Sequence, residues 1–231
     1  LVAGLVPKDV PVNDLAQALR SIGEPIFGQS VKDISGGKLL KQLFDVTEKM
    51  VRKEIDRIPD GIYPGESYVF YDGIHEASKM KINLNVVVKG DKIIFDYSGS
   101  DSQTEGFVNA PLAATSSAVL LTFLMLINPD IPHNDGIIRP IKIVSPKGTF
   151  LNAEYPAATT FGNSITGPNA DAIMKAFSTI LSKKVTAGWN RFLGFTLTGK
   201  DPRNKRSYVD ILFLALKGGS GGTYMADGYD H

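Results

Sequence analysis

The stretch F-D-Y-S-G-S-D-S-Q-T-E-G-F-V-N-A-P, residues 95–111, interrupts an apolar strand and hands the chain to a long apolar run. It sets Asp96, Asp101 and Glu105 among Ser98, Gly99, Ser100, Ser102 and Gly106, the composition of a polar, backbone-rich loop rather than a core element. Loops of this kind, carried on a rigid scaffold, are where functional groups are mounted.

Before this loop the hydrophobic period is two. Ile82, Leu84, Val86 and Val88 alternate with Lys81, Asn83, Asn85 and Val87, the pattern of a half-buried strand over 81–89. Gly90 and Asp91 separate it from 92–97, a Gly-X connection that predicts an antiparallel hairpin. A further strand is expected at 66–71. Earlier still, Leu39, Leu40, Leu43, Phe44, Met50, Val51, Ile55 and Ile58 recur at three- and four-residue spacing. This predicts an amphipathic helix over 37–58, with Lys41, Glu48, Lys49, Arg52 and Lys53 largely on its wet face, ended by Pro59-Asp60-Gly61. A short helix capped by Asn13 is expected over 13–22.

After the loop, A-A-T-S-S-A-V-L-L-T-F-L-M-L-I at 113–127 predicts a central buried helix. It stops at Asn128-Pro129, short of the roughly 20 apolar residues of a membrane span. A turn cluster at 128–136 leads to an expected strand at 137–144, and a second polar glycine loop occupies 159–169. Asn169 is read as the cap of a helix over 170–181. Strands are expected at 185–198 and 208–217, followed by a glycine-rich segment at 218–231. The pattern describes an α+β fold: mixed or antiparallel β-structure packed with a central buried helix and flanking helices. A division is expected between 1–61, an opening segment with the amphipathic helix, and 62–231, the main α+β portion.

The 231 residues are 43% hydrophobic, enough for a sizeable core, and 25 Lys and Arg face 24 Asp and Glu for a net charge of +1. No charge excess points to nucleic acid or an anionic membrane, so small molecules or protein are the expected partners. With no cysteine, disulfides, thiolate nucleophiles and Cys-bound metals are excluded. The three histidines, His75, His133 and His231, lack metal-ligand spacing, and no metal ligand is assigned. His75 reads as a loop or strand-edge residue. The chain lacks a G-x-x-x-x-G-K-[ST] phosphate loop, H-E-x-x-H and G-x-S-x-G, so any nucleotide is expected on another chain. No signal peptide is visible, and a cytoplasmic location is expected.

Asp96 is the candidate catalytic group: it either faces solvent by strand alternation or is a buried carboxylate with partners, suited to act as a base. Ser98, Gly99 and Ser100 form either a simple turn or, with Gly106, Asn109 and the small-residue start of the next helix, a site for an anionic or carbonyl oxygen. Gly162 and Asn163 repeat that arrangement ahead of another helix, with a left-handed turn as the plain alternative. Asn134, in the P-H-N-D-G turn, completes the candidate substrate contacts.

These same residues resemble the hydantoinase B/oxoprolinase family, the B-type subunits of ATP-dependent hydantoinases and 5-oxoprolinases, with the related acetone carboxylase alpha-type subunits. The resemblance runs in order through I-P-D-G at Ile58, the whole Phe95 loop and N-P-D-I-P-H-N-D-G-I-I-R-P-I at Asn128. It continues through P-K-G-T-F-L-N at Pro146, P-A-A-T-T-F-G-N at Pro156 and the terminal G-G-S-G-G with A-D-G-Y-D. It implies the middle portion of a longer subunit, a divalent metal in the region upstream of this portion, and no cofactor within this chain. It further implies an A-type, actin-like ATPase partner that carries ATP and Mg and phosphorylates a cyclic amide oxygen, after which the B-type subunit completes ring opening by water. The carboxylase branch and a non-catalytic, subunit-docking portion are the alternatives.

Overall fold

The computed structural model describes residues 36–75, 78–160, 162–188, 194–213 and 221–228, so the predicted 13–22 helix lies outside the described residues. The chain divides into two compact units, Leu1–Val46 and Thr47–His231. Helix α1 spans Gly36–Ile55. Its last turns bury Val51 and Ile55 in the core of the second unit, which holds the sheet and the candidate site.

Strands β1 (Gly61–Val69), β2 (Met80–Lys89), β3 (Lys92–Asp96) and β4 (Ile141–Val144) form one sheet in the order β1-β2-β3-β4. The first two pairings are antiparallel and the third, β3 with β4, is parallel. The alternation read from sequence is realised in β2: Met80, Ile82, Leu84, Val86 and Val88 are all buried while Asn85 is exposed. Gly90 takes φ +55°, the left-handed conformation that glycine adopts without a Cβ clash, and so closes the β2–β3 turn.

Strand β1 begins at Gly61, earlier than the expected 66–71, because its ladder with β2 extends from Gly61 opposite Val88 to Val69 opposite Met80. Pro64 lies inside it, which an edge strand tolerates because the missing N–H faces no neighbour. Strand β4 is shorter than the expected 137–144; residues 137–140 are turns, and Pro140 offers its carbonyl to the Ile93 N–H at 3.1 Å.

Between β3 and β4 runs helix α2 (Leu112–Leu126), the crossover that a parallel pair requires. It buries Thr115, Ala118, Val119, Thr122, Phe123 and Leu126, yet Leu121 and Met125 are 61% and 72% exposed. The helix expected to be central and buried does enter the core, through one face. Phe123 is its keystone: its ring sits 5.7 Å from Phe95 on β3 and 6.2 Å from Phe177 on helix α3 (Thr166–Phe177). Such aromatic pairs add about 0.5–1.5 kcal/mol each beyond the burial of their area.

Helix α3 starts at Thr166, not at 170, and Asn169 is not its cap. Pro168 fits the first turn, where backbone N–H groups have no helical acceptor to lose. Asn169 is instead fully buried, and its Oδ1 accepts the Tyr97 hydroxyl at 2.5 Å. Burial drives the Tyr97 phenol well above its ordinary value, so it stays a neutral donor. Helix α3 lies hard against β1: a Cβ on Gly65 would stand 2.1 Å from the Ala172 carbonyl oxygen. A separate antiparallel hairpin, β5 (Gly194–Lys200) with β6 (Ser207–Phe213), follows. Among the described residues no helix is long and apolar enough to cross a membrane.

Candidate functional site

The loop after β3 is braced at each step. Asp96, half-buried at the strand end, accepts the Ser98 N–H at 2.9 Å and the Ser98 hydroxyl at 2.5 Å through one oxygen, closing a local turn. Gly99 passes so near β2 that a Cβ would meet Asn83 Nδ2 at 2.3 Å. The Ser100 hydroxyl accepts the Asn83 N–H and donates to the Asn83 carbonyl, at 3.0 and 3.2 Å. Ser98, Gly99 and Ser100 are thus seated beside Asn83.

Asn109 lies further along, wholly buried. Its Oδ1 accepts the Thr104 N–H at 2.8 Å, while Nδ2 faces the carbonyls of Thr104, Gly106 and Ala158 at 2.9, 2.8 and 3.0 Å. Gly162, also buried, abuts the same backbone: a Cβ there would stand 2.8 Å from the Asn109 carbonyl oxygen. Asn163 follows in a single 3₁₀ turn, Gly162–Ile165. The two polar glycine loops therefore meet at Asn109 and Gly162, while the Ser98–Ser100 turn is tied to Asp96 and Asn83. Asn134 is elsewhere, donating to Thr47 Oγ1 at 2.8 Å and accepting the Gly136 N–H at 2.9 Å.

Where the loops meet, the structure reveals a group that the sequence pattern alone does not single out. Asp72, 1% exposed, sits on the segment between β1 and β2. One carboxylate oxygen accepts the N–H groups of Ile74 and His75 at 2.8 and 2.7 Å; the other accepts His75 Nδ1 and the Thr104 hydroxyl at 2.7 and 2.6 Å. The His75 imidazole and these further donors hold the Asp72 carboxyl well below the ordinary carboxylate range. The Asp72 hydrogen bond, with its charge behind it, raises His75 above its usual 6.5. An ionised Asp72 accepts at Nδ1, which fixes the neutral imidazole with Nδ1 protonated and the Nε2 lone pair facing outward.

Two glycines allow this meeting. Gly73, at φ +101°, lies under the Phe107 ring, and a Cβ on Gly106 would stand 2.0 Å from the Asp72 carbonyl oxygen. His75 is itself 55% exposed, with Nε2 3.9 Å from the Glu105 carboxylate. Glu105 and Thr104 line an open cleft of about 360 Å³ with Gln103, Pro156, Ala157 and Ala158. Asn109 joins both walls of that cleft, Thr104 on one side and Ala158 on the other. The local cue in the sequence is Y-D-G-I-H at 71–75: an Asp before Gly marks a turn whose carboxylate can accept backbone N–H groups just ahead of it, and a histidine stands there.

A larger cleft of about 560 Å³ runs between β1 and α3. Its Glu66 carboxylate is bound by Lys81 and Lys175 at 2.9 and 3.0 Å, which holds it down at about 2. That is a satisfied surface ion-pair network rather than a poised acid or base. The Asp72 cluster does not suit a metal ion either, because both carboxylate oxygens and Nδ1 already face internal partners. Among the described residues no group of three or more His, Cys, Asp or Glu is arranged to hold one.

The model of the hydantoinase B/oxoprolinase family matches residues 36–231, and the chain belongs to that family. A model of the UbiB helical domain matches residues 19–50, a short stretch. The chain is 34% identical over 204 residues to the putative B-type subunit of a D-/L-hydantoinase from Pseudomonas sp. (strain NS671), covering 82% of this chain and 33% of that protein. The crystal structure of the ATP-dependent caprolactamase from Pseudomonas jessenii superposes with a TM-score of 0.70 at 24% identity, covering 94% of this chain and 36% of that one. The nucleotide-free structure of acetone carboxylase gives 0.64 at 17% identity, covering 80% and 27%. These two structural likenesses concern the fold, which is the expected α+β arrangement. The chain spans about a third of the length of that hydantoinase protein.

Proposed function

We propose that this chain is part of the hydrolytic subunit of an ATP-dependent cyclic amide hydrolase, of the kind that opens hydantoin or 5-oxoproline rings. The observation that carries the reading is the family match across 36–231 together with 34% identity to a B-type hydantoinase subunit. An A-type ATPase subunit is the proposed partner: it binds ATP and Mg and activates the amide oxygen. The chain's lack of a phosphate loop agrees with that division of labour. The cleft beside Thr104 and Glu105, within the roughly 300–1,000 Å³ usual for small-ligand sites, is offered as the place where the ring is held.

The test is an assay of the complete subunit with its ATPase partner on hydantoin, 5-oxoproline and a larger lactam, and on ketone with bicarbonate. ATP-dependent release of the ring-opened amino acid is the expected result. Carboxylated ketone without amide hydrolysis would overturn the proposal in favour of the carboxylase branch.

A further inference from the structure

We infer that His75 is the general base of the ring-opening step and that Asp72 and Thr104 are its positioning residues, an inference that rests on the hydrolase reading above. Three observations converge on it. Asp72 is buried, and its one imidazole partner is fixed at 2.7 Å through Nδ1. The other ring nitrogen points away from that bond toward Glu105, on the wall of the cleft. The loop that supplies the cleft wall also supplies Thr104, whose hydroxyl binds the same Asp72 oxygen at 2.6 Å. A carboxylate serving only to brace its turn would need the Ile74 and His75 N–H groups, which occupy its first oxygen; the second oxygen is given to the ring and to Thr104.

The step balances with water and the phosphorylated amide alone. Nε2 takes one proton from water as the water oxygen bonds to the activated carbon, and it returns that proton to the ring nitrogen. The carbonyl then re-forms from the new hydroxyl, whose proton goes to the departing nitrogen as the carbon–nitrogen bond breaks, leaving an amine and an acyl phosphate; a second water converts the acyl phosphate to a carboxylate and inorganic phosphate. The charged groups that face His75 among the described residues are Asp72, from its own segment, and Glu105, from the loop after β3. Both favour the imidazolium, so the imidazole passes the proton on from a state that its surroundings stabilise. The base form is required at the start, and turnover should therefore rise with pH through a limb above the ordinary histidine value.

The experiment uses the complete subunit assembled with its ATPase partner, in wild-type, His75→Gln and Asp72→Asn forms. General-base removal is expected to lower kcat by about 10²–10⁴-fold with little change in KM, and to abolish the rising pH limb. Asp72→Asn should lower kcat as well, since an amide nitrogen facing Nδ1 reverses the tautomer. His75 is largely exposed, so its glutamine variant is expected to fold, and the single-turnover burst of lactam-dependent ADP, which precedes ring opening, should persist in it while steady-state ADP formation falls with kcat. Unchanged kcat and an unchanged pH limb in His75→Gln would overturn the inference while leaving the hydrolase reading intact. Loss of the ADP burst in that variant would also overturn it, by moving the dyad's effect to activation or assembly. A wild-type complex that opens no cyclic amide would overturn both. Histidine-labelled NMR of the full chain, which holds three histidines, supplies a readout independent of turnover. The His75 resonance should titrate above 6.5 and move down in Asp72→Asn, and a failure to move overturns the positioning role.

Discussion

Replacing Asn109 tests whether the cleft is held together from beneath by one side chain. The wild-type amide makes four polar contacts, at 2.8, 2.9, 2.8 and 3.0 Å, to the backbone of Thr104, Gly106 and Ala158, and since its two N–H protons are shared among three carbonyls the set amounts to three full hydrogen bonds. A net hydrogen bond contributes about 0.5–1.5 kcal/mol, which puts them together at about 1.5–4.5 kcal/mol. The contact with Gly106 is fully buried while the other three are partly so. Water recovers part of what those three lose, and Asn109→Ala should cost about 3 kcal/mol. Asn109→Asp is the sharper probe because it keeps shape and volume. It retains the acceptor for the Thr104 N–H but turns an oxygen toward three carbonyl oxygens. With no donor for them and a carboxyl to desolvate, the aspartate should cost more than the alanine, about 4 kcal/mol or above. Against the roughly 5–15 kcal/mol that holds a typical domain folded, either loss is visible. Urea unfolding of the full chain measures it, and hydrogen exchange at the Thr104 amide locates it. A loss under about 1 kcal/mol for Asn109→Asp, with Thr104 exchange unchanged, would refute the idea that this amide joins the two walls.

Three other outcomes follow from the same geometry. Gly65→Ala places a methyl against the Ala172 carbonyl and should destabilise the unit by about 1–3 kcal/mol or more, read as a lowered urea midpoint; a neutral result would mean that α3 does not press on β1 as described. Tyr97→Phe leaves Asn169 Oδ1 without its buried donor and should cost about 1–3 kcal/mol in the same assay. His75 is raised by folding, so its contribution to stability is complete below its ordinary 6.5 and is lost as pH rises through the higher folded value. The difference in Tm between wild type and His75→Gln should accordingly be present at pH 6 and shrink on the alkaline side, and a difference that grew with pH would contradict the pairing.

Sequence made the β2–β3 hairpin legible because period-two burial is a one-dimensional signal: Ile82, Leu84, Val86 and Val88 can face only one way together. It placed α2 to within a residue, yet not the fate of Leu121 and Met125, since an apolar helix does not encode which side finds a partner. Pro64 disguised the start of β1, because a proline disqualifies an interior strand but not an edge, and edge position is a property of the sheet. The loop at 95–111 stood out by composition. What it does there did not, because its contacts are long-range: Thr104 to Asp72, Asn109 to Ala158. His75 lacks a metal spacing and so gives no sequence signal of that kind; its partner is a carboxylate three residues away whose burial comes from the loop folded over it.

The parallel pairing of β3 with β4 also sets an order of assembly. Strands β1, β2 and β3 are joined by short connections and antiparallel ladders, so they can zip locally. Strand β4 must wait until the segment from Asp96 to Ile141, α2 included, has looped back, a closure whose entropy cost precedes any reward. The wall residues 156–158 lie beyond β4 in the chain, so the dyad's carboxylate is positioned on the early meander and the cleft is completed late. In pulsed hydrogen-exchange refolding, the amides of β2 should gain protection before that of Thr104. The chain thus sets its scaffold, dyad included, before it builds the wall against which a ligand would rest.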